Sequence, residues 1–128
     1  MDWSIDYLKN EGIVITKLSG KMDWEEHKKW GEEAYSFAHK HNCKKMLIDF
    51  RDMVPDFTIL QIDDLPKLLE EFGVDPGFKI AGLYDKSSPH ASEFTFFRNT
   101  ASLSSINVRY FDDKDQAIAW LKSGEPGE

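Results

Sequence analysis

Lys44-Lys-Met-Leu-Ile-Asp-Phe-Arg-Asp52 passes from two lysines through an apolar centre, Met46-Leu-Ile48, and then turns abruptly charged. A short strand buried on both faces of a parallel sheet reads this way, because helices cover both sides and polar residues wait until the strand leaves the core. The segments on either side of it alternate between strand and helix patterns.

Upstream, Trp3, Ile5 and Tyr7 alternate with polar residues, Asn10-Glu-Gly12 can turn the chain, and Ile13-Val-Ile-Thr-Lys-Leu18 supplies a returning strand. A hairpin fits, with Gly20 ending it. Asp23-Trp-Glu-Glu26 then opens a helix, Asp23 as cap and Glu26 reaching back. Trp24, His27, Trp30 or Gly31, Ala34, Phe37 and Ala38 recur at three- and four-residue spacing and form its apolar stripe. Asn42 can end that helix before the central strand at 44–50.

Downstream, Thr58-Ile-Leu-Gln61 is a capping box followed by the stripe Ile59, Ile62, Leu65, Leu69 and Phe72. Pro66 removes an amide donor, so the spacing predicts a short helix running into a longer one, with Asp63 or Asp64 capping the second and Gly73 stopping it. Phe78-Lys-Ile-Ala-Gly-Leu83 is the next strand. Ser88-Pro89 opens a helix carrying Phe94, Phe97 and Ala101, and Ile106–Phe111 is the last strand. Asp113 and Gln116 cap a final helix with Ala117, Ile118, Trp120 and Leu121 facing inward. The predicted order is β-β-α-β-α-β-α-β-α: an α/β fold whose mixed, mostly parallel sheet begins with a hairpin and is covered by helices. One domain over residues 1–122 is expected, with 123–128 as a flexible tail.

The chain has 128 residues, enough for one substantial core and too few for two ordinary domains. Its formal charge of −7 opposes approach to DNA, RNA or an anionic bilayer, and no basic run offsets it. Cys43 is the single cysteine, which excludes an internal disulfide and a thiolate metal cluster. No apolar run approaches the roughly 20 residues needed to span a bilayer, and the amino end lacks a signal-peptide layout. The expectation is a cytoplasmic protein with no integral membrane association, no nucleic-acid partner and no cofactor.

Several landmarks resemble the STAS-like superfamily, and more closely its SpoIIAA-like branch, often called STAS/SEC14-like. They are Gly20 before the first helix, Met46–Asp52 on the central strand, Lys79-Ile-Ala-Gly82, Val108-Arg-Tyr-Phe111 and Ala117-Ile-Ala-Trp-Leu121. They span roughly residues 3–122 and are core motifs. The resemblance implies the fold and, among anti-sigma factor antagonists, binding to a kinase partner switched by phosphorylation of a serine opening the helix after the central strand. The local counterpart here is Asp56-Phe-Thr58, which lacks the second small residue and the glycine of that motif. The superfamily also covers lipid-binding relatives, which permits an apolar ligand.

Ligands of open α/β sheets commonly sit beyond the carboxyl ends of the strands, placed here at Ser19, Arg51-Asp52, Tyr84-Asp85 and Asp112-Asp113. Thr58 belongs near Arg51 on this reading: a phosphate on its hydroxyl could use helix-start amides and that guanidinium, whereas the plainer role is an N-cap. Asp49, Arg51 and Asp52 read as an acid pair with its counter-ion or, more simply, as a salt bridge locking a strand end. His39, His41 and Cys43 alternate as metal ligands might, but residues two apart do not share a helix face. Phe94, Phe97 and Arg98 suggest an apolar pocket with a polar mouth, reached past Tyr84 or Arg98; core packing explains the same residues.

No glycine-rich phosphate loop, metalloprotease helix or serine nucleophile elbow occurs. The leading expectation is therefore a non-enzymatic regulatory or protein-interaction domain, meeting a protein partner or a second copy around Thr58, Arg51 and Asp52. The alternative is a carrier or sensor of a small amphiphile, and hydrolytic or transfer chemistry stands third.

Overall fold

The computed structural model describes residues 2–92 and 107–124. Strands β1 (Asp2–Leu8), β2 (Ile13–Asp23), β3 (Lys45–Asp56), β4 (Lys79–Leu83) and β5 (Asn107–Phe111) form one sheet in the order β1-β2-β3-β4-β5. β1 and β2 are an antiparallel hairpin, and every later neighbour is parallel. Helices α1 (Trp24–Lys40), α2 (Ile59–Asp63), α3 (Leu65–Glu71) and α4 (Lys114–Lys122) fill connections and close the chain. Ala91 and Ser92 are helical as well, within the link from β4 to β5. The expected β-β-α-β-α-β-α-β-α arrangement is the observed one.

α1 and α3 pack on one face of the sheet, over Val14, Leu18, Met46, Ile48 and Ile80. α4 packs on the other, its Ala117, Trp120 and Leu121 against Ile13, Leu47, Ala81 and Leu83. Crossovers of one hand between strands added in one direction put their helices on a common face, which accounts for the first group. Among the described residues, only α4 covers the opposite face, and on the long strands β2 and β3 it covers the half nearer their starts.

Two strands run further than the sequence predicts. β2 continues through Gly20 to Asp23, and β3 continues through Arg51 and Asp52 to Asp56. Gly20 adopts φ 86°, a left-handed conformation that lets the strand bend without losing its pairing to Met53. Two residues before Gly20, the register passes from Lys17↔Asp49 to Ser19↔Asp52, so Leu18 alone faces Phe50 and Arg51. That is a β-bulge. It shifts the alternation by one residue and puts both Phe50 and Met53 into the core under α1. Charge at Arg51 and Asp52 does not end the strand because α4 stops short of their half of the sheet and leaves them wet.

The helix ends follow local chemistry. Asp23 Oδ1 accepts from the Glu26 amide at 2.8 Å while Glu26 returns the bond to the Asp23 amide. Thr58 and Gln61 repeat the box at α2. Asp64 occupies the cap position of α3, but its side chain makes no capping bond. It also terminates α2, with φ −82° and ψ −3°, so its backbone never opens into the extended shape a capping side chain needs. Pro66 in the first turn removes one donor that would otherwise need a partner. Ser123, assigned to the tail by the sequence, is held by the Lys79 ammonium at 2.7 Å; residues 125–128 lie outside the described residues.

A buried polar relay ties three elements together. The Trp30 indole N–H donates to Thr16 Oγ1 at 2.9 Å, and that hydroxyl donates to the Ser4 carbonyl at 2.7 Å. Thr16→Val keeps the shape and strands the indole N–H, so unfolding in urea should show a loss of about 1–3 kcal/mol.

Candidate functional site

The far half of β3 supplies the first candidate residues. The Asp49 carboxylate accepts from the Arg51 amide at 3.1 Å, Nε at 2.9 Å and Nη2 at 2.8 Å. Burial disfavours its ionised form, but the hydrogen bonds and charge of Arg51 outweigh this and hold the carboxyl below the usual range. Asp52 pairs instead with Lys17 at 3.1 Å, and Asp56 lies 3.9 Å from Lys21. The two acids thus have separate counter-ions and do not form a proton-sharing dyad. The salt-bridge reading describes this geometry.

Arg51 does not stand beside Thr58. Strand alternation puts Asp49 with Leu47 on the α4 side of the sheet, and Arg51 follows Asp49 there. No hydrogen bond or ion pair joins Arg51 to Thr58 among the described residues. Ile62 and Leu69 of α2 and α3 pack on the opposite face, so strand alternation itself separates the guanidinium from the helix that Thr58 opens.

Thr58 is exposed, its hydroxyl oxygen accepting from the Gln61 amide at 3.1 Å. The next two residues are unusual. Ile59 is 69% exposed and Leu60 77% exposed, and Val54 near the end of β3 is also open to solvent. Only Ile62 of α2 is buried. The sequence placed Ile59 in the inward stripe, but a five-residue helix capped at Thr58 turns that position outward.

The other candidates separate. His41 stacks on Tyr7 with ring centres 4.6 Å apart, the His39 ring lies 3.3 Å from the Phe72 carbonyl oxygen, and Cys43 is buried with its thiol on backbone carbonyls. Three such divergent neighbours do not make a ligand set. Tyr84 is half-buried and edge-on to Tyr110. Phe94, Phe97 and Arg98 lie outside the described residues.

A feature that the sequence reading did not locate lies between α1, the α2–α3 pair and the sheet. An apolar cavity of ≈ 50 Å³ is walled by Trp24, Trp30, Tyr35, Phe50, Phe57 and Tyr110, with aliphatic side chains of α2 and α3 completing it. His27 is the other polar-tipped side chain in the wall. It is 6% exposed, and its Nδ1 has no hydrogen-bond partner. The ring is stacked on Trp24 at 5.4 Å, tilted to Trp30 at 5.3 Å and edge-on to Phe57 at 5.2 Å. Desolvation pushes its pKa down from 6.5 to about 4, so the imidazole is neutral at neutral pH. A signal was present: at a spacing of three, His27 falls between Trp24 and Trp30 on the buried stripe.

No protein-family model matches the chain, and no curated protein matches it. Solved structures do. An uncharacterised protein of the DUF3478 family with a SpoIIAA-like fold, from Shewanella loihica, shares 19% identity over 94% of this chain and 92% of its own, with a TM-score of 0.61. The phosphorylated form of the Bacillus cell fate determinant SpoIIAA shares 12% identity over 94% of this chain and 99% of its own, with a TM-score of 0.50. Identities this low speak to architecture alone. The chain has the SpoIIAA-like, STAS-type fold.

Proposed function

We propose that this chain is a non-enzymatic regulatory domain that binds a protein partner through Thr58, Ile59 and Leu60. The observation that carries the reading is the exposure of Ile59 and Leu60, 69% and 77%, side by side on a one-turn helix. Two large aliphatic side chains held in water beside a rigid cap contribute nothing to this core, and such residues gain when a partner covers them. Arg51 and Asp52 lie on the other sheet face and set charge there rather than at the contact.

Thr58 is the regulated position in this proposal. The similar Bacillus protein was solved in a phosphorylated form, and Thr58 is an exposed hydroxyl at the start of the helix that follows the central strand. A phosphate there brings roughly −2 charges beside an apolar pair. A partner packed on Ile59 and Leu60 would have to desolvate that charge, so modification would release it.

The test is affinity capture from the protein's own cells with wild type and with the Ile59→Asp/Leu60→Asp double variant. Because both positions are solvent-facing, the variant should unfold within about 0.5 kcal/mol of wild type. Partner recovery should fall at least about tenfold, as for loss of an interface anchor, and Thr58→Asp should reduce it similarly. An identical set of bound proteins for wild type and the double variant would rule this surface out.

A further inference from the structure

We propose that the cavity beneath α1 is a binding site for a small aromatic molecule bearing one hydroxyl group, a phenol in chemical class, whose hydroxyl bonds to His27 Nδ1. Three observations lead there. The wall is almost wholly apolar and largely aromatic, its rings contributed by α1, β3, β5 and the turn into α2. One polar atom in it, Nδ1, is buried and unpartnered. And the space is neither filled by side chains nor suited to water.

Water is a poor occupant for a physical reason. At roughly 10–15 Å³ per molecule, the ≈ 50 Å³ could take about four waters, but each needs two to four polar partners. Beyond the Tyr35 and Tyr110 hydroxyls and the Trp24 indole, the wall offers one orphan nitrogen, too few partners for that many waters. An unmet buried nitrogen costs stability, so a ligand that satisfies it gains the apolar contact and the hydrogen bond together. An aromatic slab gains offset or edge-on ring contacts with the Trp and Phe faces that an aliphatic group of the same size lacks, and it presents no further polar groups to be desolvated.

The hydroxyl follows from the imidazole. A neutral histidine carries its proton on either ring nitrogen, so Nδ1 is a donor in one tautomer and an acceptor in the other. A hydroxyl both donates and accepts and therefore satisfies either. A carboxylic acid would bring a charge into a wall that has no cation to meet it. A six-membered ring is larger than the resting space, since a cavity known to take benzene measures about 150 Å³. Entry thus requires the half-buried rim residues Trp24, Phe57 and Leu65 to give way. That limits affinity and excludes larger ring systems.

The proposal is tested by titrating ¹⁵N-labelled wild-type protein with phenol and, separately, with its isostere toluene at millimolar concentration, following the His27 ring nitrogens and the Trp24 indole. Phenol should move the Nδ1 resonance and bind about tenfold more tightly than toluene, the worth of one buried hydrogen bond. In His27→Leu that preference should vanish, the two compounds binding alike. The wild-type nitrogen shift stands by itself should the variant fold poorly. If neither compound perturbs the cavity side chains, or if both bind equally without moving Nδ1, the proposal is overturned. Neither result bears on the docking surface at Ile59 and Leu60, which the capture experiment addresses separately.

Discussion

Trp30→Ala lowers the free energy of unfolding by about 3–5 kcal/mol, and with a urea dependence near 2 kcal/mol/M the midpoint falls by about 2 M. The size of the effect follows from where the indole sits. Trp30 is 1% exposed in the centre of α1 and packs with Tyr35 at 6.1 Å and His27 at 5.3 Å. Its N–H also starts the relay through Thr16 to Ser4. Alanine therefore removes the largest packing unit between helix and sheet and enlarges a void already present. Trp30→Phe separates the parts: it keeps most of the apolar contact, loses the hydrogen bond and should fall between wild type and alanine. A Trp30→Ala midpoint close to wild type would mean that α1 is not held to the sheet through this side chain.

Acidification gives the second large effect. His27 titrates at about 4 in the folded chain against an ordinary 6.5, because burial penalises the imidazolium. The unfolded state therefore takes up a proton first. Stability is complete above pH 6.5, declines as pH falls from 6.5 towards 4, and stops changing on this account below 4. The full loss is about 3 kcal/mol. Asp49 acts in a different window. Its folded pKa lies below the ordinary 3.8, so its contribution is present above that value and disappears only as pH falls further. Urea unfolding of wild type and His27→Phe across pH 7.5 to 4 isolates the histidine, since other groups cancel in the difference. The gap between the two proteins should change by about 3 kcal/mol over that range. A constant gap, or a His27 ring that titrates near 6.5 by NMR, would contradict a buried neutral imidazole.

These two residues also mark how far the sequence can be read. The helix starts at Asp23 and Thr58 were legible because each box closes within four residues, and the bonds formed are the ones expected. Met46-Leu-Ile48 announced a doubly covered strand, and it is one: Met46 and Ile48 enter the larger core, Leu47 the smaller. The break before Pro66 was visible for the same local reason. The exposure of Ile59 was not. Its period matched the buried stripe, but the direction of a one-turn helix is set by how the chain leaves β3.

Asp49-Phe-Arg51 shows the same limit within a strand. The spacing correctly returned Arg51 to Asp49, and yet the side of the sheet on which they meet, opposite α2 and the Thr58 cap, depends on which face each helix covers. The cavity is more distant still from any linear pattern, since its wall joins Trp24 to Tyr110 across most of the chain.

Short-range chemistry in this polypeptide therefore specified its elements, their order and most of their ends, because capping bonds, proline geometry and apolar period act over a few residues. Which faces the helices cover, where the sheet bulges, which aliphatic side chains stay in water and that His27 Nδ1 goes unpartnered were settled when distant segments packed. Each is a consequence of close approach between groups remote in sequence, and a void or an orphaned nitrogen exists only once its neighbours have arrived.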